Sequence, residues 1–150
     1  MNEPVAADEF DRRLRRGAVL RLTLDKIILD DPDVDERSKY VIGVSALLPD
    51  IDVWFLICTS KTDHFDKNIQ FANDVLRWSA GEYPWCKAET TIVDCTKAHT
   101  LPTQRLRELH QRGQLQFVED VRPVHLARID EITGASNYLA PEEKRWIVPW

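Results

Sequence analysis

Two short apolar runs, separated by only a few residues, constrain the fold of this chain more than any other feature. The first runs from Tyr40 to Val44 and the second from Val53 to Cys58. Both are rich in β-branched and aromatic residues, and a Pro-Asp pair lies between them, so they are expected to form neighbouring antiparallel strands. Few polar residues alternate with the apolar ones, which predicts that both faces of this strand pair are covered.

Polar residues stand at the outer ends of these two strands. Lys39 begins the first strand, and Thr59, Ser60 and Lys61 end the second. Because paired antiparallel strands run in opposite directions, these two ends are expected to lie side by side. The sequence therefore predicts a rim that carries cations and hydroxyl groups beside a hydrophobic wall.

The rest of the chain alternates between strand and helix patterns. Strand patterns cover residues 18–24, 90–95 and 114–118, and helix patterns cover residues 8–16, 102–113, 123–133 and 141–144. Residues 69–78 fit a helix or a strand, and Gly134 is expected to end the helix before it. This order predicts a mainly β fold of the α+β class, a small β-barrel with peripheral helices and the C-terminal helix packed on it.

The length of 150 residues suits one domain that spans the whole chain. Within it, residues 1–16 are expected to form an N-terminal extension or short helix, and residues 137–150 a C-terminal extension. No apolar run approaches the roughly 18 residues of a membrane helix, and the N-terminus lacks the pattern of a signal peptide. The three cysteines show no disulfide spacing, so the expectation is a cytoplasmic protein with free thiols.

The net charge of −5 argues against a broad nucleic-acid-binding surface, because such binding depends on many lysine and arginine contacts to phosphate. A local basic cleft in an acidic protein is still compatible with this charge. Cys86, Cys95 and His99 lack the paired spacing of a zinc site, so we expect no metal and no cofactor. His125 is expected to lie on an exposed helix face.

In its order of motifs the chain resembles the MazF/PemK family of toxin ribonucleases, over roughly residues 17–136. The family opens on a glycine followed by a strand, which here is Gly17 and the residues after it. Its next strand begins at a basic residue, here Lys39, and the following one ends in a Thr-Ser type element, here Thr59-Ser60. A strand before a helix, and a short strand leading into the final helix, match residues 90–133.

The resemblance implies an SH3-like barrel that commonly forms a homodimer. It also implies cleavage of single-stranded RNA without a metal ion, under the control of an antitoxin protein. Lys39 would take the place of the catalytic arginine, and Thr59 or Ser60 would supply the catalytic hydroxyl. Where the family usually carries Arg-Pro, this chain has Lys39-Tyr40.

Metal-independent RNA cleavage needs a base, an acid and donors that hold the developing phosphorane charge. Lys39 can stabilise that charge, and Thr59 and Ser60 can donate hydrogen bonds to phosphate. His64 follows the same strand and titrates in the useful range, so it is expected to transfer the proton.

Three further residues are expected to bind RNA. Lys61 and Lys67 would contact phosphates, and Trp85, in a loop with Tyr83 and Pro84, would stack on a base. The competing interpretation gives each candidate a plain structural role, with Trp85 as packing and the charged residues as solvated. A different class of function is also open, namely a non-catalytic barrel that binds a protein partner, such as a regulator or a gyrase-poison-like relative. The Lys39-Tyr40 pair and the negative net charge favour that alternative.

Overall fold

A computed structural model describes residues 9–24, 37–45 and 52–148 of the chain. The strands are β1 (Ala18–Leu24), β2 (Arg37–Gly43), β3 (Asp52–Thr59), β4 (Val75–Ser79), β5 (Thr90–Asp94), β6 (His99–Pro102) and β7 (Leu115–Asp120). The helices are α1 (Asp63–Lys67), α2 (Thr103–Gln111), α3 (Pro123–Ala135) and α4 (Pro141–Ile147), with a 3-10 turn at Ile69–Phe71 and a helical turn at residues 9–13. The expected α+β class is confirmed, although helices contribute as visibly as strands.

The strands form one antiparallel sheet in the order β4-β5-β3-β2-β1-β7, and β6 pairs with β3 beside this path. The predicted pair of apolar strands is confirmed, because Tyr40 of β2 lies opposite Cys58 of β3. On its other edge β3 pairs with β6 near its start and with β5 near its end. Over the described residues the sheet is open, with β4 and β7 at its two ends, and is not closed into a barrel.

Both faces of the central strands are buried, as the lack of alternation predicts. Ile42 and Leu56 belong to one hydrophobic cluster, which also contains Ile129 of α3. Their neighbours Val41 and Phe55 belong to a second cluster, on the opposite face. The second cluster is completed by Phe10, Leu14, Leu106 and Leu109 together with further strand residues. The sheet is therefore the middle layer between α2 and the N-terminal turn on one side and α3 with α4 on the other.

Several local expectations are corrected by the structure. The helix predicted to stop before Gly134 continues through it to Ala135, because an interior glycine costs a helix only about 1 kcal/mol. The ambiguous residues 69–78 divide into the 3-10 turn and β4. Strand β6 was not predicted, since its four residues are too few for an alternating pattern. Strand β2 begins at Arg37, two residues before Lys39, the start predicted from the sequence.

The C-terminal residues join the core of the domain. Leu139 and Ile147 are buried in the same cluster as Ile129. Among the described helices, none has both the length and the apolar character that a membrane crossing requires.

Candidate functional site

The outer ends of β2 and β3 open into a pocket of about 270 Å³. The pairing of Tyr40 with Cys58 brings the start of β2 beside the end of β3, and β5 pairs with Thr59 on the other edge. The loop between β4 and β5 closes the far side. The lining residues are Lys39, Tyr40, Cys58, Thr59, Ser60, Lys61, Trp85, Lys87, Ala88 and Thr91. Five of the seven residues singled out from the sequence thus line one cavity: Lys39, Thr59, Ser60, Lys61 and Trp85.

The pocket lining combines cations, hydroxyl groups and aromatic rings. Three lysines, two threonines and one serine line it, and no aspartate or glutamate does so among the described residues. In a chain of net charge −5, such a lining is a local concentration of positive charge. Ammonium and hydroxyl donors around one concave space suit an oxyanion such as phosphate.

Thr59 presents its hydroxyl group as a donor. The backbone N–H of Lys61 donates a hydrogen bond to Thr59 Oγ1 at 3.1 Å. Since the oxygen accepts this bond, its own hydrogen remains to be donated to a ligand. The turn after β3 therefore fixes Thr59 and leaves Ser60 and Lys61 exposed at the rim.

The aromatic wall is built around Trp85, which is only 7% exposed. Its ring stacks against Tyr40, with centroids 4.8 Å apart and planes at 29°, and against Tyr83 at 5.6 Å and 20°. Trp85 Nε1 is buried without a hydrogen-bond partner among the described residues. Tyr40 is half-buried and also lines the pocket, so its ring offers more surface to a ligand than that of Trp85 does.

The thiol in the lining is not a nucleophile at neutral pH. Cys58 is buried, and burial raises its pKa well above the ordinary value of a thiol, with smaller contributions from Cys86 and Cys95 nearby. Burial also raises the pKa of Cys86 and Cys95. Because the thiolate is the reactive form, these cysteines are packing groups.

His64 and Lys67 lie on α1, outside the pocket lining. The His64 ring packs against Phe65 and Phe71, with centroids 5.1 and 5.3 Å away. Asn68 fixes the end of this short helix by donating to the His64 carbonyl at 2.6 Å. The structure thus does not bring these two predicted residues together with the lysines and hydroxyls of the pocket.

The loop between β4 and β5, residues 80–89, is tightly held. Gly81, with φ of 85°, donates its N–H to Cys86 O at 2.8 Å, and the N–H of Cys86 donates to Tyr83 O at 2.9 Å. A positive φ favours glycine, which has no Cβ to clash. Lys87 directly follows Cys86, so its backbone position is set by this turn.

A polar network joins the same loop to the start of α3. The Tyr83 hydroxyl accepts the backbone N–H of Arg122 at 2.9 Å and lies 2.6 Å from His125 Nδ1. The other ring nitrogen of His125, Nε2, lies 3.4 Å from Glu82 Oε1. Arg122 also pairs with Glu82 and lies over the Tyr83 ring.

The expectation of an exposed His125 is wrong. Its side chain is 19% exposed, and its ring stacks on Trp78 with centroids 4.8 Å apart. Burial lowers the pKa of His125, and the nearby positive charge of Arg122 lowers it further. The sequence carries no sign of this environment, because the hydrogen-bond partner of His125 is 42 residues away along the chain.

Sequence reasoning missed Tyr40, Lys87 and Thr91 as pocket residues. Lys87 follows Trp85 by two residues, so the sequence placed both in one loop but did not show that Lys87 lines the pocket. Thr91 is buried, and its side chain bonds the Cys86 thiol, which makes it part of the wall.

No family model, curated protein or solved structure matches this chain. Within the described ranges, no group of three or more His, Cys, Asp or Glu side chains is arranged to hold a metal ion.

Proposed function

We propose that this chain is a toxin of a toxin–antitoxin pair, a divergent MazF/PemK-like endoribonuclease that cleaves single-stranded RNA without a metal ion. The observation that carries the proposal is the convergence of Lys39, Thr59, Ser60 and Lys61 on one pocket. These residues come from two strand ends separated by some twenty positions, and the strand register alone brings them together.

The pocket suits the electrostatic part of RNA cleavage. Attack by a 2′-hydroxyl on the adjacent phosphate builds negative charge on the phosphorane oxygens, and fixed donors lower the barrier by meeting that charge. Lys39 supplies a positive charge, and Thr59 supplies an oriented O–H because its oxygen already accepts the Lys61 N–H. Removing one such donor costs on the order of 10²- to 10³-fold in kcat in enzymes that depend on it.

Proton transfer is the role that the described pocket lining does not itself supply, and the sequence suggested His64 for it, which lies on α1 outside that lining. No histidine or carboxylate lines the pocket among the described residues, and His64 is four residues beyond Ser60 in the chain. If His64 transfers the proton, His64→Ala lowers kcat and removes one limb of the pH–rate profile. An unchanged profile would exclude His64 from the reaction.

We also propose that the sheet is an opened form of the small SH3-like barrel of that family. Strand β3 pairs with β2 on one edge and with both β5 and β6 on the other. The register of β1 against β7 shifts between Val19 and Leu20, and such bulges bend and twist a strand. An experimental structure of the whole chain with a flat, open sheet would refute the barrel.

The direct test is cleavage of a labelled single-stranded RNA in EDTA. The wild-type protein is expected to cut it, and Lys39→Ala to be slower by roughly 10²-fold or more. Thr59→Val removes the hydroxyl at nearly constant shape, and Thr59→Ser restores it, so only the valine variant is expected to lose activity. Lys97→Ala, at an exposed lysine outside the pocket lining, is the matched control. A mixed-sequence RNA left intact by excess wild-type protein would refute the proposal.

The proposal includes an antitoxin protein and a homodimer as partners. Induced expression is expected to arrest growth with RNA cleavage, and co-expression of an antitoxin is expected to relieve the arrest. Sedimentation of the isolated chain tests the dimer.

A second function is favoured by the absence of a neutral-pH titrating group in the described pocket lining. In it the chain is a non-catalytic domain that binds a protein partner. Under this alternative a pull-down recovers one stable partner, and the Lys39→Ala and Thr59→Val variants keep the wild-type phenotype.

A further inference from the structure

The pocket has a second wall that the catalytic proposal does not use. Lys87 and Ala88 of the loop at residues 80–89 line the pocket together with the ends of β2 and β3. The internal hydrogen bonds of this loop and its tie to Arg122 through Tyr83 hold the Lys87 backbone in place. Because the backbone is already fixed, only the Lys87 side chain has to be ordered when a ligand binds, which favours affinity.

The ring of Tyr40, on β2, also lines the pocket and stacks on Trp85 of this loop. It is held from behind by Trp85, whose own surface is almost entirely covered. A half-buried ring with a rigid support gives a nucleobase a flat surface at low entropic cost, and base–aromatic stacking does not depend on base identity. Tyr40 is therefore better suited to stack a base than Trp85, the residue that the sequence suggested.

The size of the pocket limits what enters it. A volume of about 270 Å³ lies just below the range of roughly 300–1,000 Å³ typical of small-molecule sites. It therefore suits one nucleotide unit and not a paired helix. Inorganic phosphate alone would leave the aromatic ring unused.

We propose that the pocket holds one splayed-out nucleotide of a single-stranded RNA, with its base stacked on Tyr40 and Lys87 as a phosphate ligand from the second wall. This inference rests on the proposed function, in that it takes RNA as the ligand. It concerns binding alone, so it can be tested without cleavage.

The probe is a fluorescent 2′-fluoro RNA strand, which lacks the nucleophilic 2′-hydroxyl and stays intact. Its affinity is measured by anisotropy over a range of salt concentrations. The slope of log K against log salt is about −0.7 per phosphate neutralised in a single strand. Lys87→Gln is expected to lower the magnitude of this slope by about 0.7. Lys87→Arg, which keeps the charge, is expected to keep the wild-type slope. Lys97→Gln, at an exposed lysine outside the lining, is expected to bind as wild type.

Substitution of Tyr40 is expected to change the affinity without changing its salt dependence. Tyr40→Leu should weaken binding by about 5- to 140-fold, the equivalent of one lost stack, with the salt slope unchanged. Tyr40→Phe keeps the ring and is expected to bind as wild type. If Tyr40→Leu lowers the melting temperature, Lys87→Gln decides by itself, because Lys87 is exposed and its replacement leaves the fold intact.

The outcomes separate this inference from the proposed function. A wild-type salt slope in Lys87→Gln, or full affinity in a folded Tyr40→Leu, overturns the inference while leaving RNA cleavage open. Both expected signatures, together with failure to cut unmodified RNA, support the inference and refute the ribonuclease. A wild-type protein that does not bind the strand overturns both.

Discussion

Tyr83→Phe tests whether the polar network at the base of the pocket loop stabilises the fold. The substitution removes one oxygen atom and keeps the ring, so the contacts of Tyr83 with Trp85 and Trp78 remain. It deletes two hydrogen bonds, one from the Arg122 N–H at 2.9 Å and one between the hydroxyl and His125 Nδ1 at 2.6 Å. Tyr83 is 3% exposed, so water cannot easily replace the lost hydroxyl.

The magnitude follows from these two bonds. Each contributes about 0.5–1.5 kcal/mol net, and a partner left without a bond in a buried position costs about 1–3 kcal/mol. Both bonds are only partly buried, so the lower ends of these two ranges apply. The expected decrease in the free energy of unfolding is about 2 kcal/mol. For a domain of this length each kcal/mol shifts the melting temperature by roughly 2–4 °C, so a decrease of about 4–8 °C is expected.

The assay is thermal and urea unfolding of Tyr83→Phe beside Tyr138→Phe. Tyr138 is an exposed tyrosine whose ring contacts Phe71, and the same loss of a hydroxyl there is expected to change the free energy of unfolding by less than about 0.5 kcal/mol. The urea m-value should be unchanged, since the same surface unfolds. Equal stability of the two variants would refute the role assigned to the network.

Three other expectations concern the surroundings of the site. The pKa of His125 in the folded protein is lowered from its ordinary value of 6.5, so the unfolded chain binds a proton on this imidazole more readily than the folded protein does. The stability that neutral His125 contributes is therefore complete above about pH 6.5 and is lost as the pH falls through the folded pKa. In urea titrations at several pH values, the free energy of unfolding of His125→Asn should therefore fall less at acidic pH than that of the wild type. Parallel curves of unfolding free energy against pH for the two proteins would contradict this. Gly17 has φ of 89° and a Cβ there would lie 3.3 Å from Leu126 Cδ2, whereas Gly113 has φ of 74° and open space around it. Gly17→Ala should therefore lower the free energy of unfolding by about 1–2 kcal/mol, and by more than Gly113→Ala does. The reverse order of melting temperatures would be inconsistent with the contact to Leu126. The buried thiol of Cys58 should react with a thiol reagent only at the rate of unfolding, and rapid labelling of the native protein would show that the pocket wall opens.

The sequence by itself determined the central strand pair. Whether apolar and polar residues alternate is a local property of the sequence. The half-buried β1 and the doubly covered β2 and β3 therefore follow from side-chain periodicity. The antiparallel joint between β2 and β3 then requires Lys39 to lie near Thr59. This rim is the part of the candidate site that could be predicted, and both residues line the pocket.

Only the tertiary structure decided what faces that rim. The sheet order places β5 beside β3, which brings Lys87 of the loop before β5 into the pocket lining, and α3 places the half-buried His125 against Trp78. These contacts join residues far apart in the chain. Their free energy depends on how whole elements bury surface together, and no local pattern of residue types carries that information.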